Sequence, residues 1–243
     1  MAWQGMTVLA VVPARGGSKG LPRKNMAQVS GLSLIARCAA VIKALPWIDR
    51  AVLSTDDQEF AAEGRRHGLD VPFMRPADLA SDTASGVDTW RHAWLEAERH
   101  YATRFELSVY LQPTSPLRQP ADVERTVKAL VDGQHMAATT ISEVPGHHKP
   151  EKIFTRDGAG LIHFYLQDGP KHTSRQTTPD YFTRNGICYA CRRATVVDKR
   201  QIVEQDCVGV PIAGHVPNID DQFDLEMARW IDAQQAKSAA KKG

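Results

Sequence analysis

The chain has 243 residues, 42% of them hydrophobic, which suits one large α/β domain or a domain with a modest appendage and argues against two equal domains. Thirty basic residues against 28 acidic ones give a formal charge of +2, so the balance demands neither nucleic acid nor a membrane surface as partner. Any anion binding must come from local clusters.

In chain order, the first apolar run, Thr7 to Val12, reads as a buried strand. It is too short to span a membrane and carries no basic leader or cleavage-like site, which points to a cytoplasmic protein. Directly after it comes Pro13 to Asn25, PARGGSKGLPRKN. Gly16, Gly17 and Gly20 are expected to turn with positive φ and bring N–H groups to an anion, while Arg15, Lys19, Arg23 and Lys24 supply charge. Such a loop suits a triphosphate; a mobile basic surface loop is the competing reading. It is not a P-loop, because no Gly-Lys-Ser/Thr follows at the required spacing and the glycines do not fit GxGxxG. The next helix, Ser33 to Leu45, would add amides to the anion site if its start lies close enough.

Strands at Ala51 to Ser54, Leu107 to Leu111 and Met136 to Ile141 then alternate with helices at Asp57 to His67, Val87 to His100 and Ala121 to Val131. The alternation predicts a mainly parallel sheet flanked by helices, with right-handed crossovers. In such sheets ligands lie beyond the carboxyl ends of the strands, so the loops 13–25, 55–57 and 112–118 converge on one crevice. From Glu143 the rhythm breaks into Pro, His and Lys, a hairpin-like stretch around Arg156-Asp157-Gly158, and a polar segment, Lys171 to Asp180. Residues 144–184, approximately, read as an inserted arm that folds over the active site or crosses to a second subunit. A strand from Asn185 to Tyr189, another from Val208 to Ile212 and a helix from Phe223 to Gln234 complete a single domain over residues 1–235. Ala236 to Gly243, small and lysine-rich, reads as a disordered end.

Cys38, Cys188, Cys191 and Cys207 are too few for a secreted disulfide framework. Cys188 and Cys191 have CxxC spacing but lie in an apolar run without a second pair, so buried strand thiols are expected rather than zinc or redox chemistry. His147 and His148, adjacent and without a third partner, are discounted as metal ligands.

Taken in order, PARGGSKGLPRKN, STDD at Ser54 to Asp57, RP at Arg75-Pro76, LQPTSPLR at Leu111 to Arg118, RQ at Arg175-Gln176 and RNG at Arg184 to Gly186 resemble the acylneuraminate cytidylyltransferases, across roughly residues 7–231. The resemblance implies a Rossmann-like nucleotidyltransferase fold and a homodimer whose inserted dimerisation arm completes the partner's site. It also implies transfer of CMP from CTP to the anomeric hydroxyl of a nonulosonic acid such as sialic or legionaminic acid, with Mg2+ as cofactor. Alternatives are another 2-keto sugar acid, another nucleotide, or a nucleotide-sensing module without catalysis.

By the same resemblance Arg15, Lys24, Gln112 and Asp220 are the catalytic candidates. Ala14, Arg15, Gly16, Gly17, Ser18, Lys24, Asn25, Arg75, Ser85 and Gln112 would bind the nucleotide, with Lys19 and Arg23 secondary. Arg75 matches a reader of the cytosine carbonyl, its competing role being a structural pair with Asp78 or Asp82. Gln112, Lys152, Arg175 and Asn185 would bind the sugar acid, with Lys149 an alternative to Lys152 and Tyr181 and Phe182 shaping the pocket. The bidentate fork of Arg175 suits a carboxylate. The chain departs from the family pattern at its metal pair: it reads Asn218-Ile219-Asp220 where the family has Asp-x-Asp. Asp220 is then the principal ligand and Asn218 a weaker one, with Asp221 a substitute. Asp221 and Asp224 also suit a helix cap, and Asp56 suits either the metal or a turn.

Overall fold

A computed structural model describes residues 3–167 and 179–240. It divides into two compact units, one made of the chain up to Thr140 and from Asn185 onward, the other of Ile141–Arg184. The elements run β1 (Val8–Pro13), β2 (Gln28–Val29), β3 (Leu32–Ser33), α1 (Leu34–Lys43), β4 (Arg50–Ser54), α2 (Gln58–Arg66), α3 (Gly86–Tyr101), β5 (Leu107–Tyr110), α4 (Pro120–Asp132) and β6 (Ala137–Glu143). There follow β7 (Phe154–Arg156), β8 (Ile162–Phe164), β9 (Phe182–Arg192), β10 (Cys207–Pro211) and α5 (Gln222–Ala240).

Six strands form the main sheet in the order β10-β6-β9-β5-β1-β4. β1 pairs in parallel with β4 and β5, so the carboxyl ends of all three point to one edge. β9 departs from the expected parallel arrangement. It runs antiparallel to β5, with Tyr110 opposite Tyr189 and Leu107 opposite Arg192, because it enters from the insert rather than from a helical crossover.

β1 explains why the sheet is covered on both faces. Val8, Ala10 and Val12 enter one apolar cluster with Ile35 and Cys38 of α1, Phe60 of α2 and Val123 and Val127 of α4. Leu9 and Val11 enter another with Trp90, Ala93, Trp94 and Ala97 of α3. The two-residue period of the strand sends alternate side chains to opposite faces, and both are apolar. The same period decides the CxxC pair: Cys188 belongs to the first cluster and Cys191 to the second, so their sulfurs lie on opposite faces of β9. All four cysteines are free, and burial pushes the Cys188 thiol up to about 12.

Helix starts follow local capping chemistry. Ser33 Oγ accepts from Ala36 N at α1, Asp57 Oδ1 accepts from Glu59 N and Phe60 N at α2, and Gln119 and Asp122 form a capping box around Pro120 at α4. Asp221 and Asp224 cap α5 reciprocally: Asp224 N donates to Asp221 Oδ1, and Asp224 Oδ2 accepts from Asp220 N and Asp221 N. The expected disordered end from Ala236 is corrected as far as Ala240, which α5 reaches; alanine and lysine are good helix formers.

Within the second unit, β7 and β8 form an antiparallel hairpin whose turn is held by Asp157 Oδ1, accepting from Ala159 N and Leu161 N. Phe154, Leu161, Ile162, Phe164 and Tyr165 are exposed on it.

Arg118 joins the turn after β5 to β9. Its buried guanidinium donates to the carbonyls of Gln112 (2.7 Å), Gly186 (3.2 Å) and Ile187 and contacts Cys38 Sγ. An Arg118→Met variant keeps the length but leaves those acceptors unpaired, and its unfolding free energy should fall by about 3 kcal/mol, the upper end for an unsatisfied buried group. An unchanged denaturation midpoint would remove this role.

Candidate functional site

At the carboxyl edge of β1, β4 and β5 lies a cleft of about 640 Å³. The loop after β1 supplies Arg15, Ser18, Lys19, Gly20, Lys24 and Asn25. The turn after β5 supplies Gln112, Pro113 and Thr114, the segment before α3 supplies Ser81, Asp82 and Ala84, and Asp220 enters from the approach to α5. All belong to the first unit.

The glycines of the loop act differently from the sequence expectation. Gly16, Gly17 and Gly20 do not adopt positive φ; the left-handed residue in this loop is Arg23, at φ 54°. Close approach is what Gly20 provides, since a Cβ there would lie 2.5 Å from the Asp220 carbonyl oxygen. That contact seats the loop against residues 218–221. Gly16 N donates to Asp56 Oδ1 at 3.0 Å, which makes Asp56 a loop anchor, and Asn25 Nδ2 donates to the Arg15 carbonyl at 3.1 Å. Ala14 is buried at the end of β1. Gly16 and Gly17 do not line the cleft. Nor does the start of α1, which is packed into the core; the helix whose first residue borders the cleft is α3, through Gly86.

The cations already have partners. Arg15 Nη2 pairs with Asp82 Oδ1 at 2.9 Å and its Nη1 donates to the Ser81 carbonyl at 2.8 Å, while Lys19 Nζ pairs with Asp82 Oδ2 at 2.5 Å. The Lys19 hydrogen bond, then Arg15, hold the Asp82 carboxyl below the usual carboxylate range. Lys24 Nζ reaches Asp220 Oδ1 at 2.9 Å. Arg23 turns away to Glu59 (2.6 Å) and Asp57 (3.7 Å), with its guanidinium over the Phe60 ring, so it serves the loop's attachment to α2.

Arg75 is 6% exposed, faces the cleft, and donates through Nη2 to the Ser54 carbonyl and through Nε to Ser54 Oγ. It forms no ion pair with Asp78 or Asp82; Asp82 goes to Arg15 and Lys19 instead. Burial lowers its pKa, so an anionic or carbonyl ligand is its natural complement. Ser85 is exposed at the N-cap of α3 and makes no capping bond, while its neighbours Ala84 and Gly86 line the cleft.

Gly186, at φ 75°, closes the other side. A Cβ there would meet Gln112 Oε1 at 2.8 Å, Ser115 Oγ at 3.0 Å and Asn218 Oδ1 at 3.9 Å, so three polar side chains gather over it. Asn218 and Asp220 are exposed on either side of buried Ile219, whose N–H donates to the Thr114 carbonyl at 2.8 Å. The oxygen donors of Asp220 and Asn218 suit a hard cation that brings further oxygens with its ligand. Asp221 is corrected as a substitute ligand: it caps α5. Among the described residues no cluster of three His, Cys, Asp or Glu stands ready for a metal.

The expected sugar-binding residues are less gathered. Asn185 is buried, with Oδ1 accepting from Thr140 Oγ1 at 2.6 Å and Ile187 N at 3.2 Å; it stiffens the sheet and does not line the cleft, a correction to its expected role. Lys152 is exposed on a 3-10 turn of the second unit, and Lys149 Nζ donates to the Pro179 carbonyl. Tyr181 OH donates to Glu151 Oε1 at 2.6 Å, and Phe182 is exposed. Arg175 lies outside the described residues. Sequence reasoning missed Ser81, Thr89 and Tyr110 as cleft residues and weighed Asp82 only against Arg75. Tyr110 carried one signal, its place at the end of a predicted strand just before LQPTSPLR.

Residues 9–205 match a family model described as Cytidylyltransferase. The post-translational flagellin modification protein B of Campylobacter coli is 30% identical over 228 residues, covering 92% of this chain and 94% of that protein. The N-acylneuraminate cytidylyltransferase of Escherichia coli O18:K1:H7 is 27% identical over 96% of this chain, which spans 54% of that relative's length. A solved structure of CMP:2-keto-3-deoxy-manno-octonic acid synthetase complexed with CTP shares the fold, with a TM-score of 0.70 at 19% identity over 94% of this chain and 99% of that one.

A polyphosphate held by Arg15 and Lys19 would have to displace Asp82 from both. An Asp82→Asn variant should bind inorganic tripolyphosphate about two- to fivefold more tightly, as suits a partly exposed ion pair. Unchanged or weaker binding in calorimetry would sink that competition.

Proposed function

Because this chain belongs to the cytidylyltransferase family, we propose that it transfers CMP from CTP to the anomeric hydroxyl of a nonulosonic acid and releases pyrophosphate. The observation that carries this reading is one cleft that sets Arg15, Lys19 and Lys24 around the same space as the deep guanidinium of Arg75. The first three answer a triphosphate; the last answers a base carbonyl.

The sugar's anomeric hydroxyl oxygen attacks the α-phosphorus and gives up its proton to solvent, the bond from that phosphorus to the α,β-bridging oxygen breaks, and the leaving pyrophosphate takes the electron pair. Charge grows on the phosphate oxygens as this happens, so fixed cations accelerate the step by stabilising its transition state. Arg15 and Lys24 take this role once the nucleotide displaces their carboxylate partners, with Lys19 as a mobile third cation. Asn25 and Gln112 offer neutral amides, each with donors and an acceptor, to the ribose hydroxyls. Gln112, next to Gly186, also borders the space for the incoming sugar.

Magnesium belongs to the same reading, and when bound it neutralises phosphate charge. Asp220 is the carboxylate that would hold it, with Asn218 a weaker neutral donor. The exposed apolar hairpin of the second unit supports a homodimer in which this arm completes the partner's site, with Lys152 and Arg175 meeting the sugar carboxylate. A nucleoside triphosphate donor fits the cytoplasm, and no described helix is long and apolar enough to cross a membrane.

Pyrophosphate release from CTP and magnesium, measured with a panel of sialic, legionaminic and other 2-keto sugar acids, tests the reading. Turnover on one nonulosonic acid is expected; CTP binding with no turnover on any acceptor would favour a nucleotide sensor. Replacing Asn218 with Asp restores a second carboxylate and should lower the magnesium needed for half-maximal activity about fivefold, the factor for roughly 1 kcal/mol of added attraction. An unaltered magnesium dependence would count against Asn218 as a donor.

A further inference from the structure

Tyr110 is the last residue of β5 and 4% exposed, yet it borders the cleft. Its ring stacks on Trp90, with centroids 5.0 Å apart and planes 28° from parallel. Trp90 is itself fixed, fully buried with Nε1 donating to Ser108 Oγ at 2.8 Å. Strand pairing holds the Tyr110 backbone from both sides, against Val11 and against Tyr189. A phenol this rigid loses little freedom when it binds something. Its hydroxyl makes no hydrogen bond among the described residues and is not one of the sealed polar atoms, so it opens onto the cleft.

The surroundings fix what that hydroxyl can offer. Burial, opposed in part by the charge of Arg75, pushes the phenol well above its ordinary pKa, so the proton stays on at any physiological pH. Arg75 lines the same cleft, and its charge is the one that opposes burial at the phenol, so an O–H turned away from the guanidinium and toward the cleft is the favourable orientation. Two donors, a guanidinium and a phenol O–H, therefore stand together at the deep end, where residues are 6% and 4% exposed, while Lys19 and Asp220 stand 81% and 73% exposed at the rim. A nucleotide that leaves its phosphates with the rim cations brings its base to this pair.

We propose that Tyr110 is a specificity-determining residue that donates to N3 of the cytosine ring while Arg75 donates to the adjacent carbonyl oxygen O2. The inference rests on the reading of this cleft as a CTP site. In cytosine, O2 and N3 are neighbouring acceptors and match two donors. Uracil carries a proton on N3, so the phenol could meet it only by accepting, with its own O–H turned back toward the Arg75 charge, a less favourable arrangement.

The experiment compares CTP, UTP and 3-deazacytidine triphosphate, in which C–H replaces N3, with the unaltered enzyme and with Tyr110→Phe. The phenylalanine keeps the stack on Trp90, and equal melting temperatures establish that it folds. The expected result is a loss of about tenfold in kcat/KM for CTP, carried mainly by KM, the scale of one neutral hydrogen bond. The preference for CTP over UTP shrinks by a similar factor. The penalty for 3-deazacytidine triphosphate seen with the unaltered enzyme disappears in the variant, because the two changes remove the same bond. Calorimetric binding of the three nucleotides without acceptor gives the same comparison independent of turnover. Equal losses for all three nucleotides, or none, would overturn the assignment of N3 to Tyr110 while leaving the CTP reading intact. An unaltered enzyme that neither binds nor uses CTP would overturn both.

Discussion

The Arg118 guanidinium is the tie on which the site's geometry hangs. It gathers the carbonyls of Gln112, Gly186 and Ile187, so the turn after β5 and the entry of β9 cannot drift apart. With those two segments fixed, Gln112 and Ser115 meet over Gly186, where a side chain would find no room. Ile219 then docks its N–H on Thr114, and the residue beside it, Asp220, receives the close approach of Gly20. One buried cation thus holds two segments far apart in sequence through backbone oxygens, which cannot change identity by mutation.

Charge is arranged around this frame with little excess. Asp82 answers Arg15 and Lys19, Asp220 answers Lys24, and Glu59 with Asp57 answers Arg23. Without such pairing, four cations in one loop would repel one another. The pairs at the rim are solvent-exposed and exchangeable, so a polyphosphate can replace a carboxylate at low cost. Arg75 is different: it sits deep, is held by neutral oxygens of Ser54, and keeps its charge for a ligand. The cleft therefore combines a yielding rim with a rigid floor.

That division suits cytidylyl transfer. The phosphates must rearrange during the reaction, whereas the base must stay in place and be distinguished from its competitors. Under the proposed function, rim cations would follow the changing charge, and a floor built on β5, α3 and the Arg75 contacts would read a fixed pattern of acceptors.

The sequence by itself determined the alternation of strands and helices, the place of the glycine- and cation-rich loop beside the cleft and the family, because apolar periodicity and contiguous motifs are local properties. It also placed Asp224 at a helix start, since capping is local chemistry. Tertiary structure decided what depends on distant partners. Asp82 meets Arg15 and Lys19 across more than sixty residues of chain, Asn185 turns inward because Thr140 waits beneath it, and β9 runs antiparallel because of where the insert returns it. Gly20 is glycine for the sake of a carbonyl two hundred residues away, not for its own dihedral angles. Tyr110 reads in sequence as one more apolar strand residue; only the stack of strands against α3 reveals that it borders the cleft that Arg75 also lines.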